Sequence, residues 1–403
     1  MQKDIYLLFT TRIIRMFCYG FLSIILVLYL TEAGFSEKQI GLLFTLTLVG
    51  DAFISLWLTT RADRFGRKKT LIIGALLMFF AGLVFIFTSN LFFLTLAAII
   101  GVISPSDKEI GPFLAVEQSS LTQLISDGSR TNIFAWYNLG GSFSSALGAL
   151  AGGWFAQILQ NNGLTSFESY RFILIGYALG GLVLAVLFLQ VSPIIEVKQE
   201  SNQTKKTLGL HQSKNVVFKL SVLFALDSFA GGLIVQSFMA YWFHIKFGLN
   251  SGTLGSIFFG VNILAGISAL LAVQLAKKFG LINTMVFTHI PSNILLILVP
   301  LMPTLPLAIG LLLLRFSISQ MDVPTRQSYT MAVVSPDERS AASGVTAIAR
   351  SIGASLSPML TGLFFSIPIL FSAPFFISGG LKIVYDLLLF REFRSIKPPE
   401  EKF

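Results

Sequence analysis

The sequence predicts an all-α membrane protein with twelve transmembrane helices in two pseudo-symmetric six-helix bundles. Apolar runs of about 20 residues recur along the 403-residue chain, and each can cross a hydrocarbon core of about 30 Å as a helix. Only 12% of the residues are charged, which is too few to cover a soluble protein of this size. The two halves of the chain also resemble each other. Because the apolar runs are continuous rather than alternating, they exclude a β-barrel.

We number the predicted helices span 1 to span 12. They lie at residues 6–30, 38–59, 69–88, 91–123, 131–158, 170–191, 216–243, 252–276, 281–301, 305–333, 340–365 and 369–392. Span 1 shows no small-residue cleavage site, so we expect a retained helix and not a signal peptide. Cys18 is the single cysteine, which excludes an internal disulfide.

One long polar linker divides the spans six and six. Residues 192–215 are rich in Lys, Glu, Gln and Asn, and no other predicted loop approaches this length. The sequence therefore predicts an N-terminal bundle at 1–191, a cytoplasmic linker at 192–215, a C-terminal bundle at 216–392 and a cytoplasmic tail at 393–403.

The two halves share short motifs at matching positions. With a shift of 214 residues, Phe65-Gly66 falls on Phe279-Gly280. With a shift of 209 residues, Glu117-Gln118-Ser119 falls on Arg326-Gln327-Ser328. Internal duplication is a common way to build a transporter, because two similar bundles can rock around a central site.

The basic residues lie on one side of the predicted bundle. The loops of the opposite side contain three basic residues, Lys38, Arg171 and Lys246. The positive-inside rule therefore places both termini in the cytoplasm and predicts a cell membrane protein. The net charge of +9 reflects this pattern, and we expect no nucleic-acid partner.

The loop between spans 2 and 3 carries the most informative motif. It reads Thr-Thr-Arg-Ala-Asp-Arg-Phe-Gly-Arg-Lys-Lys at 59–69, which resembles the signature loop of the major facilitator superfamily of secondary transporters. The resemblance covers residues 1 to about 392 and implies a conformational gate in this loop. The predicted gate residues are Asp63, Arg64, Gly66, Arg67 and Lys68. Thr59 stands where the family usually has Gly.

A second predicted gate element lies in spans 5 and 11. Gly148, Gly152 and Gly153 resemble the family's antiporter motif G-P-x-x-G-G, with Ala149 at the proline position, and Pro358 supplies the proline in the matching half. Small residues four apart also allow close helix packing. Both interpretations stay open: bending that favours exchange of substrate against protons, or packing alone.

Charges within the spans indicate a transport pathway, since a charge near the membrane centre costs roughly 3 kcal/mol or more. At a helix rise of about 1.5 Å per residue, four charged residues are predicted near the membrane midplane: Arg15, Asp227, Arg315 and Arg350. They lie on spans that line the central cavity in this family. Asp227 is our first choice for a proton carrier. The alternative is that Asp227 only neutralises Arg15 or Arg315.

Other polar residues complete the predicted pathway. Glu117 and Asp51 are second choices for the proton, and Lys382 is expected to compensate Asp386, four residues away on span 12. The remaining candidates for the substrate or proton pathway are Tyr19, Asn138, Gln236, Gln320 and Asp322.

The span 5 motif and the intramembrane acids make the chain similar to the drug–proton antiporter branch of the family. This resemblance implies proton-coupled efflux of a small organic compound by alternating access. Symport or facilitated uptake of a small anionic metabolite is the main alternative, and a non-transporting membrane sensor is a remote one. The chain lacks the motifs G-x-S-x-G and G-x-x-x-x-G-K-[ST], so we expect no enzyme activity and no cofactor. Its three histidines are far apart, which argues against a metal site. The expected partners are the substrate, protons and the lipid bilayer, and we expect a monomer.

Overall fold

The computed structural model describes residues 2–106, 111–125, 130–196, 211–335 and 338–396. The regular structure in this part of the chain is helical, with sixteen α-helices and a few short 3₁₀ turns. The α-helices are α1 (Gln2–Glu32), α2 (Glu37–Phe65), α3 (Arg67–Phe87), α4 (Leu91–Ile100), α5 (Phe113–Leu124), α6 (Arg130–Asn161), α7 (Ser166–Leu189), α8 (Lys214–Leu233), α9 (Gln236–Phe247), α10 (Ser251–Phe279), α11 (Leu281–Leu298), α12 (Leu305–Phe316), α13 (Asp322–Ala332), α14 (Arg339–Leu356), α15 (Pro358–Phe365) and α16 (Ala373–Phe393).

The helices confirm the predicted fold class. Eight spans are formed by one helix each, and the other four are each interrupted once: span 4 is α4 and α5, span 7 is α8 and α9, span 10 is α12 and α13, and span 11 is α14 and α15. In the described residues, eight helical stretches are long and apolar enough to cross a membrane. The prediction of unbroken helices for spans 4, 7, 10 and 11 is wrong.

The interruptions have local physical causes. In span 11, Pro358 cannot donate to the carbonyl of Ala354, and the Ser357 hydroxyl donates to that carbonyl instead, at 3.1 Å. In span 7, the hydroxyl of Thr361 donates to the carbonyl of Leu233 at 2.6 Å, where α8 ends. Side-chain hydroxyls therefore satisfy backbone groups that the breaks release, as an apolar membrane requires.

Prolines also mark the other two interruptions. Pro105 and Pro112 both lie between α4 and α5, and Val102 nearby has a φ angle of 57°. Pro324 lies in the first turn of α13 and has no N–H for the carbonyl of Gln320. Spans 4 and 10, which the internal repeat matches, are thus both broken beside prolines.

The chain folds into two compact units. The first contains Met1–Gln199 and Val235–Gly260, and the second contains Glu200–Ile234 and Val261–Phe403. Residues 197–210 of the predicted linker and 397–403 of the predicted tail lie outside the described residues. The domain boundaries derived from the sequence stay a prediction.

In the first unit, α1 and α6 pack backbone to backbone. A Cβ atom on Gly148 would lie 2.1 Å from the carbonyl oxygen of Phe17, and one on Gly152 would lie 2.2 Å from Cβ of Phe21. From the other side, a Cβ atom on Gly20 would lie 2.0 Å from the carbonyl oxygen of Ser145. Small residues are what allow this close approach, so the structure gives the predicted gate glycines of α6 a packing role.

We predict that Gly148→Ala destabilises the protein by about 1–3 kcal/mol, because the added methyl must push α1 away from α6. The measurement is the thermal unfolding midpoint of the purified protein in detergent. Gly140→Ala in the same helix is the matched control, since the nearest atom to its Cβ would be Ile13 Cγ1 at 3.9 Å. Equal midpoints for the two variants would contradict the packing.

In the second unit, Glu338 ties the segment before α8 to the start of α14. Its carboxylate accepts hydrogen bonds from the backbone N–H groups of His211, Gln212 and Ser213, the last two at 2.8 and 2.9 Å. Hydrogen bonding from Ser213 and from these N–H groups lowers the pKa of Glu338 from 4.5 to about 2. The charged carboxylate is therefore the form that this contact requires.

We predict that Glu338→Gln lowers the thermal unfolding midpoint near neutral pH. Because the pKa of Glu338 is lowered on folding, its contribution is complete above the ordinary value of 4.5 and is lost as the pH falls towards about 2. The difference between wild type and variant should therefore shrink over that pH range. Glu392→Gln, which removes an exposed pair with Lys219, is the control and should change little. A difference independent of pH would refute this role.

Candidate functional site

The first unit contains a fully buried ion pair between Arg15 on α1 and Glu117 on α5. The guanidinium donates from Nη1 to Oε1 at 2.9 Å and from Nη2 to Oε2 at 2.7 Å, and both side chains are 0% exposed. Thr11 donates to the same carboxylate at 3.0 Å, and the Tyr137 hydroxyl on α6 donates to it as well. This two-point geometry is the strongest form of an arginine–carboxylate contact.

Aromatic rings surround this pair. The guanidinium of Arg15 lies 4.4 Å from the ring centre of Phe113, and that of Arg12 lies 4.2 Å from the ring centre of Tyr137. Arg12 also donates to the amide oxygen of Asn138 at 3.3 Å. The predicted pathway residues Arg15, Glu117 and Asn138 thus belong to one neighbourhood, in which Arg15 and Glu117 are fully buried and Asn138 is exposed.

The second unit contains a larger cluster around Asp227 of α8. The carboxylate accepts from Arg326 of α13 at 3.0 Å and from Lys382 of α16 at 2.6 Å. Arg326 donates from the same nitrogen to Asp322 at 2.9 Å. All four side chains are at least 89% buried, since Lys382, the least buried of them, is 11% exposed. The ion pairs of Asp227 therefore link α8 to α13 and to α16.

The two clusters correspond to each other with the charges exchanged. The repeat places Glu117 of span 4 on Arg326 of span 10, and the partners Arg15 and Asp227 lie on spans 1 and 7. Each half thus joins its first and fourth spans by an arginine–carboxylate pair, with opposite polarity. The Glu117–Arg326 match in the sequence carries this signal, although by itself it indicates only duplication.

Two predicted pairings are wrong. The alternative interpretation of Asp227 had Arg15 or Arg315 as its partner, but its partners are Arg326 and Lys382. Lys382 was expected to pair with Asp386. It reaches Asp227 instead, while Asp386 faces α11. Spacing of four residues puts two side chains on one helix face, but neighbouring helices decide which partner each one meets.

The other predicted pathway residues are dispersed. In the first unit, Tyr19 is buried, Gln236 donates to the Ser23 hydroxyl at 2.7 Å, and Asp51 accepts from the backbone N–H of Gly111 at 2.7 Å. Each of these contacts connects neighbouring segments, so they support the helix packing.

Three more candidates lie in the second unit. The backbone N–H of Gln320 donates to Ser268 at 3.3 Å, and Arg350 donates to Ser228 at 3.3 Å. The guanidinium of Arg315 lies 4.5 Å from the ring centre of Phe316. Nε and Nη1 of Arg315 are buried and have no hydrogen-bond partner within the described residues. Arg315 therefore stands apart from the ion cluster as a base with free hydrogen-bonding capacity.

The signature loop is held by a carboxylate that sequence reasoning missed. Glu196 accepts from the backbone N–H groups of Arg67 at 2.6 Å and Lys68 at 3.1 Å, at the positive end of α3. The Lys68 ammonium donates to the carbonyls of Leu189 and Val191 at 2.8 Å, where α7 ends. Gly66 precedes α3 with a φ angle of 104°, a conformation that favours glycine. The side chains of the other two predicted gate residues, Asp63 and Arg64, lie outside the described part.

We predict that Arg15→Met destabilises the protein by about 3–5 kcal/mol, because it leaves the Glu117 carboxylate buried without a counter-charge. The double variant Arg15→Met/Glu117→Met removes both charges and should recover most of that loss. Thermal unfolding midpoints of the three proteins in detergent test this. A double variant no more stable than the single one, or a single variant as stable as wild type, would count against a coupled pair.

Sequence and structure comparisons agree with this architecture. The family model of the Major Facilitator Superfamily matches residues 8–358. The chain is 31% identical to the uncharacterized membrane protein YJR124C of Saccharomyces cerevisiae, over 96% of this chain and 93% of that protein. It is 26% identical to the class B tetracycline resistance protein of Escherichia coli, over 60% of this chain and 58% of that protein.

A solved structure shows the same fold at low identity. The nucleoside transporter NupG is 18% identical, with a TM-score of 0.75, covering 98% of this chain and 100% of that chain. This likeness concerns the fold alone. The family model, which matches residues 8–358, shows a multi-pass membrane transporter: the chain belongs to the major facilitator superfamily.

Proposed function

We propose that this transporter exports a small organic compound in exchange for protons. The observation that carries the proposal is the Asp227 carboxylate, buried on a membrane helix between Arg326 and Lys382. Intramembrane acids of this kind are typical of proton pathways. The class B tetracycline resistance protein, whose name records resistance to a small organic compound, is similar to 60% of this chain and supports the direction and the substrate class.

The proposed coupling of transport to protons depends on how Arg326 and Lys382 share the Asp227 carboxylate. A nearby base favours the charged carboxylate, and loss of that base or of water favours the protonated one. Arg326 is bound to both Asp227 and Asp322, so it is anchored at two points. Lys382 has one carboxylate partner among the described residues. We infer that a conformational change which separates Lys382 from Asp227 lets Asp227 take up a proton.

The remaining parts of the proposal concern the gate and the setting. The parts proposed to move are the signature loop, with Asp63 and Arg64, and the helix segments at Gly148, Gly152, Gly153 and Pro358. The concentration of bases on one side supports cytoplasmic termini in the plasma membrane. We retain the expectation of a monomer.

The test is flux in proteoliposomes with an imposed pH gradient, using tetracycline and a panel of lipophilic cations as probes. We predict that the gradient drives probe movement in wild type and that Asp227→Asn reduces gradient-driven flux at least tenfold, because the amide cannot exchange a proton. Glu392→Gln is the control for an acid outside the cluster. The unfolding transition of each variant is measured, so that only folded protein is compared. Flux that ignores the gradient in wild type, or persists undiminished in Asp227→Asn, would remove the proposed mechanism.

Uptake of a small anionic metabolite is a second candidate, favoured by Arg315. Its guanidinium offers two buried nitrogens without partners in the described structure, and such a group suits a carboxylate or phosphate. In the same vesicles, competition by succinate or inorganic phosphate, lost in Arg315→Met, would favour this candidate. Inhibition by lipophilic cations alone would favour efflux.

A further inference from the structure

A second buried polar group lies beside the Asp227 cluster and is not used by the mechanism above. The Nδ1 atom of His289 on α11 lies 2.9 and 3.1 Å from the two carboxylate oxygens of Asp386 on α16. Asn293, one turn along α11, donates to the same carboxylate at 3.2 Å. Asp386 and Asn293 are 0% exposed, and His289 is 5% exposed. This is an imidazole–carboxylate pair closed off from water.

Asp386 differs from the other carboxylates of this network in the bases that surround it, since Arg350 of α14 acts on Asp227 and Asp322 as a third base. The carboxylates of the network are Asp227, Asp322 and Asp386, whereas the bases Arg326 and Lys382 contact only the first two. His289 is the only ionisable group that contacts Asp386 among the described residues. A buried carboxylate is costly without a counter-charge in contact with it. A protonated His289 ring supplies that counter-charge to Asp386 directly.

The charged and titratable groups around the His289 ring come from four helices. From α16 it faces Asp386, the edge of the Tyr385 ring at 6.1 Å between centres, and Lys382 one turn earlier. From α13 the charged groups are Asp322 and Arg326, and Asp227 lies on α8. The one ionisable residue of α12 is Arg315, which stacks on Phe316.

The repeat shows that the fold does not require this pair. The shift of 214 residues that matches spans 3 and 9 places His289 on Ala75. Ala75 is buried and apolar, so the first half fills the same position without any charge. The charged pair is therefore particular to the second half and is not a general feature of the repeat.

We propose that His289 and Asp386 form a proton-binding site, and that Lys382 couples this site to Asp227. When the ring releases its proton to water, Asp386 loses its counter-charge. Lys382 stands one helical turn from Asp386 on α16, and its flexible stem lets the ammonium move towards it. Asp227 then loses its contact with Lys382 and retains its contact with Arg326. The physiological use of this site rests on the proposed proton coupling, but its existence does not.

The test is histidine NMR on the full-length protein in detergent, with ¹³C-labelled imidazole rings. The chain has three histidines, and His289→Gln assigns the relevant signal. We expect the His289 ring to change protonation state between about pH 5 and 9 and its midpoint to move by about one pH unit or more in Asp386→Asn, a tenfold change in proton affinity. His244, whose Nδ1 contacts the carbonyl of Leu249, is the control and should not move.

A ring that does not titrate in this range, or a midpoint unmoved in Asp386→Asn, would overturn the site. Should Asp386→Asn not fold, Lys382→Met replaces it, and an unmoved midpoint has the same meaning. The vesicle assay separates this from the proposed function. If His289 titrates but flux ignores the pH gradient, proton coupling fails and the site stands. If the gradient drives flux while His289 stays unchanged, the site fails and coupling stands.

Discussion

The structure depends on a buried arginine–carboxylate pair between the first and fourth spans of each half. Removing two charges from water costs more than a loose contact returns, so such a pair needs close geometry and further hydrogen bonds to its carboxylate. Glu117 meets this condition through Arg15, Thr11 and Tyr137. Asp227 meets it through Arg326 and Lys382. Each pair therefore fixes how its helices are rotated, because any other rotation leaves a charge in an apolar environment.

The two halves use this constraint differently, and the difference matters for function. In the first unit the pair is complete and closed, with both side chains fully buried. In the second unit the charge is distributed over α8, α11, α13 and α16, and one lysine with a flexible stem joins the parts. A closed pair is suited to structural support, whereas a shared and redistributable charge is suited to proton exchange. Both pairs support the packing of their half, and the proposed proton exchange uses the redistributable charge of the second.

The sequence predicted the fold well because apolar length, the long linker and the repeated motifs report directly on membrane crossing. Counting residues along a helix predicts mid-depth positions for Arg15 and Asp227, and the structure places both side chains in buried ion pairs. The sequence failed on their partners, because depth says nothing about which neighbouring helix a side chain faces, and Lys382 was assigned to Asp386 for that reason. Glu196 and Glu338 were missed because carboxylates in loops normally face water. The helix breaks of spans 4, 10 and 11 were marked by prolines, but the hydroxyls that make them tolerable come from the three-dimensional arrangement.

The central claim is that these two pairs hold the first and fourth spans of each half together throughout transport. The most direct measurement is a pair of cryo-electron microscopy structures in nanodiscs, one for each of two conformations trapped by conformation-selective antibody fragments. We expect the Arg15–Glu117 and Asp227–Arg326 contacts to stay within hydrogen-bonding distance in both structures, whatever Lys382 does. An arginine that leaves its carboxylate in either conformation, or points into lipid, would contradict the account.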